Sequence, residues 1–466
     1  MDKRLIRTVK RDKFIWSCII LLDLFLVFLV DSTWDGGDSI LHYVESHQAL
    51  QTPHYFMNMW SKPIFILLSF PFSALGWWGM KLFNSICILV SVALVKRIFE
   101  YYALYGWWGV FISFFAYSLF LSQSSGLTEP LFTVLLTIIV YFELNDKTLH
   151  ASLVLSFLPF VRSEGYVICI IFLVYLLFSK RFKYIAHLSV GHVVYGIVGL
   201  FVYSDFLWMF NQNPYSGIEE KYGSGDIFHF VEQLPYMIGL PIYILFFLGV
   251  FRGGLRFFKG EMLLKEFILI YGVTIGYIVA HSIFWRYGLF HSYGLSRVLL
   301  VIIPLIAFIA YRGLQWLHCA LYFFNKKYIN TITIILIAVF PFIKNKMAID
   351  WDKDIKQEHQ QVLVKQSNDW ITATDGYKNL PIYTNAYYHA VVSGKIIDNE
   401  TEILELKTLK KPNHKPKKGN LILWDSFFAP TDGEVSQKFI ESNYNIRKLR
   451  EFKNDKDYRL VIYQVL

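Results

Sequence analysis

Charge is scarce in this sequence. Asp, Glu, Lys and Arg make up 17% of its 466 residues, where soluble globular chains carry about 25%. Apolar residues reach 55% and fall into long uncharged runs that need lipid as solvent, so an ordinary soluble domain is excluded and a multi-spanning membrane protein is expected. Cysteine is almost missing. Cys18, Cys87, Cys169 and Cys319 all lie inside apolar segments, which leaves no disulfide framework or metal-ligand spacing and makes them packing residues. There is no internal repeat, low-complexity tract or glycine-rich phosphate cradle, so nucleotide hydrolysis has no support. The basic start, Met1 to Lys13, is followed by an apolar run from Phe14 to Val30 that lacks a small-residue cleavage site and contains Asp23; it reads as a retained first span. The net charge of +9 comes from short basic clusters flanking apolar runs, where Lys and Arg orient helices, and nucleic-acid binding is not expected.

What is present is a series of apolar segments near the roughly 20 residues that a spanning helix needs. They cover 14–31, 80–98, 107–123, 127–142, 148–161, 165–179, 184–203, 235–251, 266–284, 297–311 and 328–343. The expected fold is therefore an α-helical polytopic membrane bundle of about eleven transmembrane helices over residues 1–343. The stretch Pro63–Trp78 is apolar too, but Pro63, Pro71 and Gly76 interrupt it, and it reads as a half-helix against the outer face. With eleven spans, the clusters Lys3–Lys13, Lys96–Arg97, Lys180–Lys183, Arg252–Lys265 and Arg312–Lys327 all fall on one side, as the positive-inside rule requires. The N-terminus is then cytoplasmic. Loops 32–79, 123–126, 162–164, 204–234 and 285–296 lie outside with everything after Phe342, in what is expected to be a bacterial inner membrane.

From about Asn345 the sequence turns charged and mixed. Strand-like runs at Pro381–Thr384, Leu421–Trp424 and Leu460–Val465 alternate with helix-like Glu358–Ala373 and Glu434–Asn443, so residues 344–466 are expected to form a small C-terminal α/β extracytoplasmic domain. Lys407–Lys418, with two prolines, reads as an exposed loop.

The outer loops hold the chemistry. Trp34-Asp35-Gly36-Gly37-Asp38-Ser39-Ile40-Leu41-His42-Tyr43 sets two carboxylates at the membrane lip, where one could take a proton from a hydroxyl or hold a metal, while the glycines would let a substrate approach the backbone. The plainer reading is a turn with Asp38 capping a helix over Ser39–Ala49. Ser125-Gly126-Leu127-Thr128-Glu129-Pro130 heads one span, and Val161-Arg162-Ser163-Glu164-Gly165 joins two others. Charges at that depth cost about 2.5–3.5 kcal/mol each and normally face a cavity or each other. Glu129 could equally cap its own helix, and Arg162 with Glu164 could be a structural pair. In loop 204–234, Trp208, Asn213-Pro214-Tyr215 and Tyr222-Gly223-Ser224-Gly225-Asp226 could stack a sugar, or anchor the interface as aromatic belts do.

The order of a first-loop acidic motif, Lys62-Pro63 at a half-helix, Thr128-Glu129-Pro130 and Arg162-Ser163-Glu164-Gly165 resembles the GT-C superfamily of membrane glycosyltransferases. The resemblance covers about residues 14–311 and is closest to bacterial polyprenyl-phosphate-sugar-dependent mannosyl- and arabinofuranosyltransferases. Ser163 replaces the proline of their Arg-Pro-Glu-Gly motif, and Gly37-Asp38, with Asp35 three residues earlier, stands where many relatives have Asp-Asp. The resemblance implies a polyprenyl-phosphate-linked sugar donor and a glycan, lipid or protein acceptor entering from outside. It also implies a first-loop aspartate, Asp38 or Asp35, as general base, with inversion at the sugar. The leaving phosphate needs positive charge, for which Lys62, Arg286, His291 and Arg297 are candidates; His42, Glu129, Arg162 and Glu164 would line the substrate site. For Arg286, interfacial snorkelling is an equal alternative. The sequence assigns no cofactor, and a divalent metal is compatible with this chemistry. A transporter would instead show paired repeats and interrupted midplane helices, which are not found, and a non-catalytic assembly protein would not need the acidic motifs.

Overall fold

The structure, a computed structural model, describes residues 3–214, 223–343, 347, 349–351, 354–398, 401–412, 414–454 and 458–466. Every expected apolar segment is largely helical, and the chain is an integral membrane protein. Five helices are individually long and apolar enough to cross a membrane: Trp77–Tyr101, Phe182–Tyr203, Leu240–Phe258, Leu264–Arg286 and Ser296–Ala320. The others are shorter or broken. The segment 107–123 is two helices, Gly106–Phe114 and Tyr117–Ser122, for which the sequence carries no Pro or Gly at the break. The segment 235–251 divides at Gly239, whose φ of 82° and ψ of 146° suit glycine alone, and Pro241 then starts Leu240–Phe258 without needing a donor.

Four helices build the wall of the site. α1 (Lys3–Leu29) leads to the acidic loop, and α2 (Asp38–Gln48) follows it. α3 (Pro63–Ser73) is shorter than the expected half-helix, because Gly76 ends the turn after it and Trp77–Trp78 already belong to α4 (Trp77–Tyr101). At the centre runs Ser296–Ala320, whose stretch between Arg297 and Arg312 is apolar on every side, with Leu299 to Ile303 and Leu305 to Ala310 almost wholly buried. On the perimeter large side chains such as Phe14, Phe25, Phe201, Phe258 and Leu336 are exposed, as lipid-facing positions are.

The two ends of the bundle differ. At one, the basic clusters find acids: Lys96 pairs with Asp12 at 3.6 Å and Glu100 at 2.5 Å, Arg181 with Glu143 at 2.7 Å, Lys265 with Asp146 at 2.9 Å, and Arg256 and Arg312 with Glu266 at 2.6 and 3.0 Å. The acidic loop, Glu129 and the Arg162 turn gather at the other.

The C-terminal domain is a five-stranded sheet in the order β2-β1-β3-β5-β4, formed by β1 (Ile382–Tyr383), β2 (Ile403–Leu404), β3 (Leu421–Asp425), β4 (Ile446–Lys453) and β5 (Arg459–Val465). β1 is parallel to β2 and β3, while β5 is antiparallel to β3 and β4. Alternation along β3 sends Leu421 and Leu423 to one face, packed with Val364 and Ile371 of helix His359–Ala373, and Ile422 and Trp424 to the other, packed with Ile440. The expected loop Lys407–Lys418 starts instead as a 3₁₀ turn, Leu406–Lys410, because Leu406 and Leu409 are drawn into the second core.

The domain docks on the acidic loop. The amides of Asp31 and Ser32 donate to the Ile355 carbonyl at 2.7 and 3.1 Å, and Gln361 Nε2 donates to Thr33 Oγ1 at 2.8 Å. Further along, Tyr55 Oη donates to the Ile397 carbonyl at 2.8 Å, and Gln48 exchanges hydrogen bonds with Lys395 and Ile397.

Candidate active site

The acidic loop is folded by Asp35, not by Asp38 as the capping alternative expected. Asp35 Oδ1 accepts from the Gly37 amide at 3.0 Å and the Ser39 amide at 3.3 Å, which aims both carboxylates the same way. Each is bound by one guanidinium: Arg297 Nη1 donates to Asp35 Oδ2 and Nη2 to Asp38 Oδ2. Arg297 Nε also lies 3.4 Å from Glu129 Oε1. Glu129, fully buried, pairs in turn with Arg162 Nη1 at 2.8 Å, and Arg162 Nη2 reaches Glu164 Oε1 at 2.7 Å. Asp35, Asp38, Arg297, Glu129, Arg162 and Glu164 thus form one continuous chain of charges. Burial would raise the Glu164 carboxyl, but Arg162 beside it wins, and it is held down to about 2.

Lys62 sits just before α3 with a left-handed backbone, φ 73°, which a side chain tolerates only when its surroundings hold it. Its Nζ donates to Ser163 Oγ at 2.8 Å, so the residue that replaces proline in the Arg-x-Glu-Gly motif ties the half-helix to the Arg162 turn. Burial pushes the Lys62 ammonium down to about 7, against the pull of Glu164. His42, on α2, stacks on Trp60 with ring centroids 4.6 Å apart. Burial, then Arg297 and Arg162, push it down to about 3, so it is a neutral imidazole, and its Nδ1 has no hydrogen-bond partner among the described residues.

The other expected site residues lie elsewhere. Arg286 ends helix Val273–Arg286 and donates to the Gly225 carbonyl at 3.4 Å, and His291 closes the turn Leu289–His291. Trp208 is fully buried and donates to the Tyr195 carbonyl at 2.8 Å, so it is core and not a sugar platform. Tyr215 and Tyr222 lie outside the described residues. Among the described residues no three His, Cys, Asp or Glu side chains converge as metal ligands.

Sequence reasoning missed several groups. Tyr277 and His281 are buried beside Glu164 and Arg162, with ring centroids 4.5 Å apart, and Tyr277 Oη and His281 Nε2 find no partner among the described residues. Their spacing of four in an apolar helix, which puts both on one face, was the available signal. Glu45 is buried one turn beyond His42 and accepts from Asn58 Nδ2 at 3.0 Å; burial pushes it up to about 7. The glycines of the acidic loop are not left open for a substrate. A Cβ on Gly36 would lie 2.2 Å from Glu358 Oε2, and one on Gly37 3.4 Å from Phe428 Cε1, both from the C-terminal domain.

Nearly the whole chain shares its fold with solved structures of one membrane-bundle protein. ArnT from Cupriavidus metallidurans in its apo state aligns over 98% of this chain and 98% of its own, with a TM-score of 0.62 and 11% identity. The same protein bound to undecaprenyl phosphate aligns over 96% and 97%, with a TM-score of 0.64 and 10% identity. No protein-family model and no curated protein sequence matches this chain.

Proposed function

We propose that this protein is an inverting glycosyltransferase that moves a sugar from a polyprenyl-phosphate donor to a hydroxyl of a glycan, lipid or protein acceptor on the extracytoplasmic side of the membrane. The observation that carries the reading is the chain of charges from Asp38 through Arg297, Glu129 and Arg162 to Glu164, with the Lys62 ammonium beside its far end. The two ends suit different partners. The Asp38 side chain is 43% exposed against 24% for Asp35, and only its Oδ2 is taken by Arg297, so it is the carboxylate open to an acceptor hydroxyl. Lys62, with the start of α3 behind it, offers positive charge to a phosphate. A phosphate there would return to the buried ammonium the stabilisation that burial removes. The ArnT structure that contains undecaprenyl phosphate supports the same class of donor.

In this reading Asp38 takes the acceptor proton as the oxygen attacks the anomeric carbon, the bond to the phosphate breaks on the opposite face, and Lys62 and the guanidinium groups receive the charge of the departing lipid phosphate. Purified protein given a panel of polyprenyl-phosphate sugars together with hydroxyl acceptors should release free polyprenyl phosphate from at least one. General-base catalysis contributes about 10²–10⁴-fold, so Asp38→Asn should lower turnover by that order with donor binding kept. Wild-type turnover in Asp38→Asn, with loss in Asp35→Asn run beside it, would move the role to Asp35.

A further inference from the structure

The C-terminal domain reaches the acidic loop. Here its helix His359–Ala373 starts against the acidic loop. The residue before that helix, Glu358, makes no side-chain hydrogen bond to cap it. Its carboxylate turns to the loop instead and fills the space that a side chain at Gly36 would occupy, 2.2 Å from the Cβ position, between the two aspartates in sequence. Phe428 of the same domain covers Gly37, and Gln361 and the Ile355 carbonyl hold Thr33, Asp31 and Ser32. The Glu358 carboxyl is thereby set beside Asp35, which with Asp38 is bound by Arg297.

We propose that the C-terminal domain completes the reaction site, with Glu358 as a positioning residue whose carboxyl packs against Gly36 and so lets the loop stay closed on Arg297. The proposal rests on the glycosyltransferase reading for its effect on turnover. Burial, then the charge of Asp35, push the Glu358 carboxyl up to about 7. The charged groups on this seam are Asp31, Asp35 and, bound with Asp35 to Arg297, Asp38; Lys356 and His359, close to Glu358 in the chain, are exposed, and Gln361, Thr33 and Phe428 are neutral. When Glu358 loses its proton, like charge beside Asp35 works against docking of the domain.

The test reads kcat at saturating donor, because bound phosphate holds the Lys62 ammonium charged and removes its titration from the profile. A group titrating near 7 is about nine-tenths protonated at pH 6 and about one-tenth at pH 8, so the wild-type rate should fall about tenfold between them. In Glu358→Gln that pH ratio should approach one. Gly36→Ala, which displaces the carboxylate without altering it, should flatten the profile as well. The same tenfold fall in both variants, or a flat wild-type profile, overturns the proposal. A readout without substrate separates it from the glycosyltransferase reading. The Glu358 carboxyl is raised from an ordinary value near 4.5 to about 7 on folding, so the folded protein binds more protons in that window and loses stability as pH rises through it. The thermal midpoint in detergent should drop from pH 5 to pH 8 in wild type by more than in Glu358→Gln. Release of no lipid phosphate by wild type, with that contrast present, would sink the donor assignment and leave the Glu358 contact standing; equal drops would sink the contact.

Discussion

Arg162 is held from both sides, and that decides what its loss should do. Glu129 is wholly buried, and Arg162 and Glu164 are only 15% and 17% exposed, so water does little to support the three charges. Removing one partner of a buried pair costs about 3–5 kcal/mol, mostly because the other charge is stranded. Arg162→Ala strands two carboxylates, although Arg297 Nε at 3.4 Å still serves Glu129. It should therefore destabilise by at least that range. Glu164→Ala should cost less, since Arg162 keeps Glu129. The double variant Arg162→Ala/Glu164→Ala should recover only part of the loss, because Glu129 remains. Thermal unfolding in detergent orders the three; near-native stability of Arg162→Ala would mean that the charges are solvated. This wall was legible in the sequence, where charges heading apolar helices must face one another. Arg297 as its hub was not, since the residue is separated from Asp35 by most of the bundle and only the packing of Ser296–Ala320 at the centre brings it there. Glu358 was less legible still. Its position before a helix reads as a start signal, and nothing local tells that its side chain leaves that helix for a loop more than three hundred residues earlier.

Among the elements, breaks separate what composition can tell from what it cannot. Apolar length located the helical segments of the bundle, and short apolar runs within charged, mixed sequence located β1, β3 and β5. β4 was missed because it lies at the sheet edge with a mostly exposed, charged face, Arg447, Lys448, Arg450 and Glu451, which looks like loop. Gly239 shows how a break is enforced. Its backbone lies where residues with a Cβ cost about 1–3 kcal/mol, and a Cβ there would also sit 3.1 Å from Phe340. Gly239→Ala should lower thermal stability by that amount. Gly254→Ala, in the following helix with open space around the Cβ and ordinary helical backbone, should be neutral or slightly stabilising by about 0.5–1 kcal/mol. Equal effects would mean that Gly239 is no more than a soft point in a continuous helix.

At the scale of the whole molecule, the two ends carry different charge, and a membrane should read that difference as orientation. Basic loops meet at one end in the pairs of Lys96, Arg181, Arg256, Lys265 and Arg312, whereas the acidic loop and the C-terminal domain share the other. Lys and Arg near span ends are retained in the cytoplasm, so the first end should be inside and the domain outside, with the N-terminus inside. The choice of probe positions matters, because Ser46 in the outer loop is buried against Ser69 and would escape a reagent on either side. Gln51 and Ser436 are exposed near the acidic end and in the domain, and Lys183 is exposed among the basic loops. In a background with Cys18, Cys87, Cys169 and Cys319 replaced, a membrane-impermeant thiol reagent on intact cells should label Gln51→Cys and Ser436→Cys but leave Lys183→Cys unmodified until the membrane is permeabilised. Labelling of Lys183→Cys in intact cells would invert the molecule, put Asp38 in the cytoplasm and remove the basis for an acceptor arriving from outside. Protection of Ser436→Cys with labelling of Gln51→Cys would separate the domain from the loop it touches, and with it the contact between Glu358 and Gly36.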